Sequence, residues 1–360
     1  MPNLFFLAYG GDAWLDGLNM QTIVAIGCIL LALAFEFVNG FHDTANTAAT
    51  VIYTKALKPG MAIWLSGIFN FLGALTVGTA VAQIVTKIIP LHTVNLSIVG
   101  AVLIAALAWN LFTWWLSIPV SSSHCLIGSL FGAGIMAAGI NGVAWDELAK
   151  VVIALALSPI AGFLVGAMLT WLGMKLDKST ASINSIGDEQ KNNQPVMRWL
   201  HVLACVLVAF SHGSNDGQKT MGIITLILAT HFAAYNYTVN LVPLWVMIAC
   251  AVAIGVGTTI GGWRIIKTVG TKISNLPITN AQGFGASMAT ALVILVASAL
   301  GAPISTTHTL SSAVAGGTIP CHGIDQLNRK TIQNILLAWL VTVPVAAGLA
   351  AICYGMIHML

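Results

Sequence analysis

Long apolar runs recur along almost the whole chain, and they restrict its fold more than any other feature. A helix of about 20 residues crosses a hydrocarbon core of about 30 Å, whereas a transmembrane β-strand appears as an alternating segment of about 10 residues. No such alternation occurs here, and 7% of the 360 residues are charged, against about 25% in soluble domains. The sequence therefore predicts an all-α polytopic protein in a lipid bilayer, with ten to twelve transmembrane segments. The apolar segments are 22–38, 61–86, 96–116, 123–140, 148–174, 199–212, 241–262, 281–300, 303–319 and 331–359.

Charge and cysteine content exclude several other classes of protein. The formal net charge of +3 is too small to indicate a nucleic-acid partner, and the six cysteines are scattered without a CxxC pair or a zinc-type spacing. We therefore expect no resident metal site. The first 20 residues contain Asp12 and Asp16 but neither Lys nor Arg, so they lack the basic start of a cleaved signal peptide. The first apolar segment is expected to stay in the mature protein.

The basic residues are concentrated in alternate loops between the apolar segments. Cytoplasmic loops of membrane proteins carry an excess of Lys and Arg. If the N-terminus lies outside, the inner loops hold Lys55, Lys58, Lys175, Lys178, Lys191, Arg198, Arg264, Lys267, Lys272, Arg329 and Lys330, and the outer loops hold Lys87 and Lys150. This asymmetry predicts that both termini lie outside, which is the periplasmic side in a bacterium.

Two motifs occur twice, in the same order. "NGFHDTANTAATVI" at 39–52 is echoed by "SHGSNDGQKTMGII" at 211–224, and "SIPVSSSHCLIGS" at 117–129 by "GAPISTTHTLSSA" at 301–313. Such self-similarity indicates an internal repeat, and we divide the chain into a first repeat (1–178), a polar cytoplasmic linker (179–198) and a second repeat (199–360). Each repeat has five apolar segments, so the second enters the membrane in the opposite sense. Inverted repeats with discontinuous helices are typical of secondary transporters.

Each copy of the first motif places an aspartate, Asp43 or Asp216, beside apolar sequence. A carboxylate inside a transmembrane helix costs about 2.5 to 3.5 kcal/mol on insertion scales, so it normally faces a partner, a cavity or an ion path. The alternative is that each aspartate caps a helix end. Matching positions in both halves favour function. We predict a helix break at each motif, with both aspartates near the membrane midplane.

Other polar residues of the first motif are candidates for binding or coupling. Asn46, Asn215 and Gln218 offer neutral carbonyl oxygens, which suit protons, Na⁺ or Mg²⁺ beside a carboxylate, although each alone is compatible with ordinary hydrogen bonding between helices. His42 and His212 can titrate near neutral pH, and for His42 a role that only satisfies a hydrogen bond is an equal alternative. The residues assigned to cation or proton coupling are His42, Asp43, Asp216, Gln218 and Lys219.

The second motif places hydroxyl side chains where a helix begins. Proline preorganises a helix start, and the backbone N–H groups of the first turn have no intrahelical partner. Together with hydroxyl donors and the positive end of the helix dipole, they make a cradle for an anion. Simple capping is the alternative, and repetition in both halves favours binding. The residues expected to contact an oxyanion are Ser121, Ser122, Ser123, Ser305, Thr306 and Thr307.

Carboxylates for a cation and two helix starts for an oxyanion together indicate cation-coupled anion symport. Each negative charge moved against an inside-negative potential costs about 2.3 kcal/mol per 100 mV, so a divalent anion needs accompanying positive charge. The competing class is an intramembrane hydrolase that uses Ser and His or a metal. The chain has no GxSxG or HExxH motif, and one catalytic centre does not require paired motifs. We therefore predict a transporter and not an enzyme.

The motifs "GFHDTAN", "GSNDGQK", "PVSSSH" and "PISTTH" resemble those of the inorganic phosphate transporter (Pit) family, and the resemblance extends from Glu36 to Trp339. The chain is most similar to the bacterial low-affinity branch, because His42 stands where the sodium-coupled branch typically has asparagine. The resemblance implies a phosphate:H⁺ symporter of the bacterial inner membrane that needs no cofactor. It also implies that phosphate commonly travels as a neutral complex with a divalent metal such as Mg²⁺, Ca²⁺ or Zn²⁺.

The resemblance further implies that Asp43, Asn46, Asn215 and Asp216 form the cation and phosphate site, which the Ser and Thr runs complete. Sodium coupling, and sulfate as the anion, stay open as alternatives, because a cradle of hydroxyls and amides does not separate two tetrahedral dianions. Hydrogen phosphate differs from sulfate in offering an O–H donor that a carboxylate can accept. Association of two protomers into a homodimer is also left open.

Overall fold

The computed structural model describes residues 19–176, 195–232 and 238–359, and these residues are almost entirely helical. They contain no β-strand, only one isolated bridge between Ser274 and Leu327. The predicted all-α class is therefore confirmed. The helices are α1 (Met20–His42), α2 (Thr44–Tyr53), α3 (Pro59–Thr76), α4 (Ala80–Val85), α5 (Leu96–Trp115), α6 (Ser122–Ala138), α7 (Trp145–Leu176), α8 (Pro195–His231), α9 (Leu244–Ile260), α10 (Trp263–Thr271), α11 (Asn280–Ala299), α12 (Thr306–His322) and α13 (Arg329–Met359).

Eight spans in the described part of the chain are long and apolar enough to cross a membrane, or nine if the bent pair α9 and α10 is counted as one span. These two helices meet at 70°, a bend that the sequence patterns did not indicate. The expected number of ten to twelve is therefore higher than the number found. Part of the difference is α12, which has 17 residues and lies at the lower limit of about 17 residues for a span.

The outer faces of the long helices are apolar. On α7, Ile153, Leu157, Ile160 and Leu164 are between 56% and 61% exposed and recur at the spacing of one helix face. A contiguous exposed face of large aliphatic side chains is stable only against lipid or another apolar surface. The lateral surface of α7 is therefore a lipid-facing surface, as the composition predicted.

The two predicted helix breaks have different outcomes. In the first motif α1 ends and α2 begins around Asp43, whose φ of −92° and ψ of 5° interrupt the helix. In the second copy of the same motif α8 continues unbroken through Asp216, so the predicted break there is wrong. The hydroxyls of this motif bond back to their own helix, Ser211 to the Val208 carbonyl at 3.0 Å and Ser214 to the Ser211 carbonyl at 2.7 Å. Serine and threonine satisfied in this way do not require an open backbone.

Short helices of one half pack against long helices of the other half. α6 packs on α13, and α12 packs on α7. Both contacts need glycine: an added Cβ would lie 2.0 Å from the Ala347 carbonyl oxygen at Gly132 and 2.1 Å from the Phe163 carbonyl oxygen at Gly316. This reciprocal pairing agrees with a two-fold relation between the halves. The opposite membrane sense of the repeats and their boundaries stay predictions, and most of the proposed linker lies outside the described residues.

Candidate functional site

Asp43 lies at the centre of a buried polar cluster where the motifs meet. Its carboxyl group is 1% exposed. Ser122 and Thr306 each donate a hydroxyl to Oδ2 at 3.4 Å, and Thr307 donates to Oδ1 at 3.3 Å. His42 Nδ1 lies 2.9 Å from Oδ1. One carboxylate therefore interacts with hydroxyls from the first turns of both α6 and α12, which are nearly 200 residues apart in sequence.

A serine side chain caps the N-terminus of α6 and of α12 near Asp43. The Ser121 hydroxyl accepts from the His124 backbone N–H at 3.1 Å, and the Ser305 hydroxyl accepts from the His308 N–H at 3.1 Å. Both caps are buried. A side-chain cap satisfies one of the free N–H groups of the first turn. Ser121 and Ser305 are thus used as caps in this arrangement, while the hydroxyls that follow them in the chain point to the cluster.

Asp216 is joined to the same cluster from α8. Its Oδ1 lies 2.7 Å from Lys219 Nζ, and its Oδ2 accepts from Ser122 at 3.4 Å. Lys219 is 2% exposed and also donates to Ser123 at 2.5 Å and to the Ile304 carbonyl at 3.0 Å. A buried ammonium is stable only when it is paired and hydrogen-bonded, as here. Lys219 therefore neutralises Asp216 and ties α8 to the starts of α6 and α12.

His212 lies between the two aspartates. Its Nδ1 is 2.7 Å from Asn70 Oδ1, and the amide orientation of Asn70 follows from its Nδ2, which donates to Thr258 at 3.1 Å. Nδ1 is then the donor, an assignment made from the hydrogen-bond network. Nε2 faces Asp43 Oδ2 at 3.5 Å and Asp216 Oδ2 at 3.7 Å. A lone pair directed at two carboxylates is unfavourable, so a proton or a cation between these three groups would stabilise the arrangement.

A cation has suitable ligands at this place. Asp43, His212 and Asp216 each offer an atom, and these atoms all lie within 4.8 Å of one another. Lys219 is the ammonium already present, so the two carboxylates and one ammonium leave one net negative charge around a histidine that can accept a proton. The cluster can thus take up a positive charge.

Asn46 connects the first motif to the second. Its Nδ2 donates to Thr307 at 2.9 Å and to Thr306 at 3.3 Å. Its Oδ1 is buried and has no hydrogen-bond partner among the described residues. A buried acceptor without a partner costs about 1 to 3 kcal/mol. Asn46 therefore offers a free acceptor at the edge of the cluster.

Asn215 and Gln218 lie beside the cluster and bond away from it. Asn215 Nδ2 donates to Ser298 at 3.0 Å, and its Oδ1 accepts from the Ile304 N–H at 3.2 Å. The Gln218 side chain is used in the same manner, since its Oε1 accepts from the Val81 N–H at 2.8 Å. In this arrangement both amides hold neighbouring backbone in place. Asn215 thereby fixes the segment that leads into α12.

Two further buried polar residues near the cluster were not selected by the sequence analysis. Asn70 orients His212, and Glu36 is a fully buried carboxyl group on α1. Asn70 lies within the predicted apolar segment 61–86, and Glu36 lies near the end of segment 22–38. The rule that selected the aspartates, namely that a polar side chain in a membrane segment needs a partner or a function, applies to them as well. They lacked only a matching residue in the other half of the chain.

The fold and this cluster define a class of protein: a multi-span helical membrane protein with a charged polar centre enclosed between its motif helices, as in secondary transporters. A family model described as the phosphate transporter family matches residues 39–350. The chain belongs to the phosphate transporter family. The Pit family predicted from the motifs is thus confirmed, and the chain is a transporter and not an enzyme.

Similar proteins agree in name. A protein of Bacillus subtilis (strain 168), named a probable low-affinity inorganic phosphate transporter, is 42% identical over 346 residues, which cover 95% of this chain and 100% of that protein. The low-affinity inorganic phosphate transporter PitB of Escherichia coli (strain K12) is 29% identical over 479 aligned positions, which cover 91% of this chain and 96% of PitB. A solved structure described as the sodium-dependent phosphate transporter is also similar, with a TM-score of 0.80 and 26% identity, and the match covers 94% of this chain and 100% of that one.

Proposed function

We propose that this transporter carries inorganic phosphate inward across the bacterial inner membrane together with protons. The observation that supports this most directly is the position of Asp43. Its carboxylate accepts hydroxyl hydrogen bonds from both helix starts, Ser122 on α6 and Thr306 and Thr307 on α12. The same hydroxyls can turn to the oxygens of a tetrahedral anion, while the freed carboxylate accepts a proton or a cation.

Charge supports symport. The ionised cluster already carries one net negative charge from Asp43, Asp216 and Lys219. Hydrogen phosphate adds two more, and burying that excess in a membrane is unfavourable unless positive charges enter with it. A proton at His212 Nε2 would lie between Asp43 and Asp216, and His42 is paired with Asp43 through Nδ1. A divalent metal that travels with hydrogen phosphate as a neutral complex would serve the same purpose and would be cargo.

Phosphate is preferred to sulfate for a reason of hydrogen bonding. At neutral pH hydrogen phosphate has one O–H group, which Asp43 or Asp216 can accept, and sulfate has none. A site built to accept a hydrogen bond rejects a ligand that lacks the donor, because its own acceptor is then left unpaired. The orphan Oδ1 of Asn46 is a further acceptor for this proton.

Proton coupling is tested with the purified protein in liposomes. We expect an inward proton gradient to drive accumulation of radiolabelled phosphate, with excess sulfate a poor competitor. An inward sodium gradient at equal pH is the matched control, because sodium coupling is the second candidate and the similar solved transporter is described as sodium-dependent. Uptake that follows sodium and ignores pH would replace protons by sodium in the proposal. Equal competition by sulfate would remove the preference for phosphate.

We also propose that both termini lie outside, as the distribution of Lys and Arg indicates. Alkaline phosphatase is active only outside the cytoplasm, and a fluorescent protein exported through the general secretion route does not mature. A phosphatase fusion after Leu360 is expected to be active and a fluorescent fusion there dark. Fusions after Lys178, in the linker predicted to be cytoplasmic, should show the reverse. The opposite pattern at either position would contradict the topology.

A further inference from the structure

A third buried carboxyl group lies outside the cluster that contains Asp43 and Asp216. Glu36 is on α1, seven residues before Asp43, and it is 0% exposed. Seven residues of helix cover about 10 Å and return nearly to the same face. Glu36 therefore lies about two turns from Asp43, on the side of α1 that faces the motif helix α8.

The surroundings of Glu36 suit a protonated carboxyl group better than a carboxylate. The Thr220 hydroxyl of α8 donates to Oε2, and the Asn39 side chain on α1 also lies beside the carboxyl group, while Oε1 is buried and has no hydrogen-bond partner among the described residues. An added Cβ at Gly217 would lie 2.9 Å from the Ala74 Cβ and 3.7 Å from Oε1, so α8 lies close to the carboxyl group at this point. A buried carboxylate normally needs several donors, since its charge is otherwise uncompensated. A carboxylic acid needs fewer.

The charged and titratable groups facing Glu36 come from two helices. Asp216 and Lys219 on α8 interact with Glu36 electrostatically, and so does Cys250 on α9. α3 and α5 carry no titratable side chain. Because Asp216 and Lys219 pair with each other at 2.7 Å, neither is left to balance a charge on Glu36. A proton on Glu36 is what removes the imbalance.

Packing by itself does not require a carboxyl group at this position. The residue seven positions before Asp216 is Ala209, which is also 0% exposed. Likewise, Thr47 stands four residues after Asp43, as Thr220 does after Asp216, and it donates to the Thr44 carbonyl at 3.1 Å instead of to a carboxyl group. The contact between Glu36 and Thr220 therefore has no counterpart at the matching positions, Ala209 and Thr47. Such a one-sided polar contact between motif helices suits coupling better than support of the fold.

We propose that Glu36 carries a proton during transport, holding it while the site is closed and releasing it when the site opens to the cytoplasm. The contact between Glu36 and Thr220 joins α1 to α8, the two helices that carry the aspartates. Movement of these helices during alternating access separates the pair and exposes the carboxyl group to water. The proton then leaves to water, and the carboxylate regains a proton on the outer side. This role rests on the proposed proton-coupled phosphate transport.

The test compares exchange with gradient-driven accumulation in liposomes whose membrane potential is clamped at zero. Glu36→Gln keeps the shape of the protonated side chain but cannot release a proton. We expect it to exchange labelled for unlabelled phosphate at equal pH much as the wild type does. Its steady-state accumulation should fall below that of the wild type by about tenfold per pH unit of gradient, the contribution of one coupled proton. Glu147→Gln, the same change near the surface of α7, should behave as the wild type.

The wild-type protein tests the proposed function, and the variants test Glu36. If the wild type ignores the proton gradient, proton coupling as a whole is wrong. If the wild type is coupled and Glu36→Gln accumulates phosphate equally, Glu36 is not the proton carrier. Loss of exchange in Glu36→Gln would also overturn the proposal, because it would assign Glu36 to folding or binding. Thr220→Val keeps the carboxyl group but removes its donor, and we expect the pH profile of uptake to move to higher pH. An unchanged profile would contradict the role of this pair.

Discussion

Asp43→Asn should lower phosphate uptake by about 100-fold or more while the protein still inserts and folds. Asparagine has the shape of aspartate but presents an NH₂ group to hydroxyls that now donate to a carboxylate. Asp43 accepts from Thr307 and is paired with His42 at 2.9 Å. In the proposed mechanism this carboxylate holds the coupling proton or cation while phosphate is bound, and losing an interaction of about 3 kcal/mol in that state corresponds to about 100-fold. The negative charge that attracts the coupling cation disappears as well.

Uptake of labelled phosphate by liposomes that contain equal amounts of protein measures this effect. Asp146→Asn is the matched control, since Asp146 is an exposed aspartate at the start of α7, and its uptake should equal that of the wild type. The melting temperature in detergent distinguishes a lost site from a lost fold. If Asp43→Asn folded and transported at more than a tenth of the wild-type rate, Asp43 would have no central role in the mechanism.

Lys219→Met should destabilise the protein by about 3 kcal/mol or more, because it leaves a buried carboxylate without its partner. Lys219 Nζ lies 2.7 Å from Asp216 Oδ1, and the two side chains are 3% and 0% exposed. Removal of the charge on both partners should be tolerated much better, since two neutral side chains of similar size need no mutual compensation. The double variant Asp216→Asn with Lys219→Met is therefore expected to recover most of the lost stability.

The melting temperatures of the single and double variants in one detergent test this prediction. Lys150→Met breaks the pair with Glu147 at 2.9 Å, in which the lysine side chain is 64% exposed, and exposed pairs contribute about 0 to 1 kcal/mol. It should change the melting temperature little. A Lys219→Met variant as stable as Lys150→Met would show that the buried pair does not support the fold. A double variant no more stable than the single one would show that the loss comes from packing.

Much of the site could be predicted because polar and charged residues are conspicuous in an apolar membrane segment. Asp43 and Asp216 were identified because carboxylates are costly in hydrocarbon and because they recur at matching positions. The hydroxyls of Ser122, Thr306 and Thr307 were identified from the helix starts in which they occur. The structure brings these residues together around Asp43. The repetition of both motifs favoured binding over simple helix capping, which a single copy of either motif would not have done.

The same reasoning did not find the residues that act through a partner. Asn70 orients His212, and Thr220 contacts Glu36, in both cases between distant parts of the chain. No motif connects such pairs, since each partner is an ordinary residue in its own segment. That α8 continues as one helix through its motif also could not be predicted from the motif residues alone. Glycine, asparagine and aspartate suggested a break, and hydrogen bonds within the helix and to its neighbours made the break unnecessary.

The sequence by itself determined that this protein is an all-helical membrane transporter of the phosphate transporter family, because apolar length and repeated motifs are properties of the chain alone. Only the tertiary structure decided how the polar residues divide their roles. Asn46 keeps a free acceptor near the centre, Asn215 holds backbone, and Lys219 neutralises Asp216. The physical reason is that a buried polar group must satisfy its hydrogen bonds and its charge with whatever the fold brings beside it.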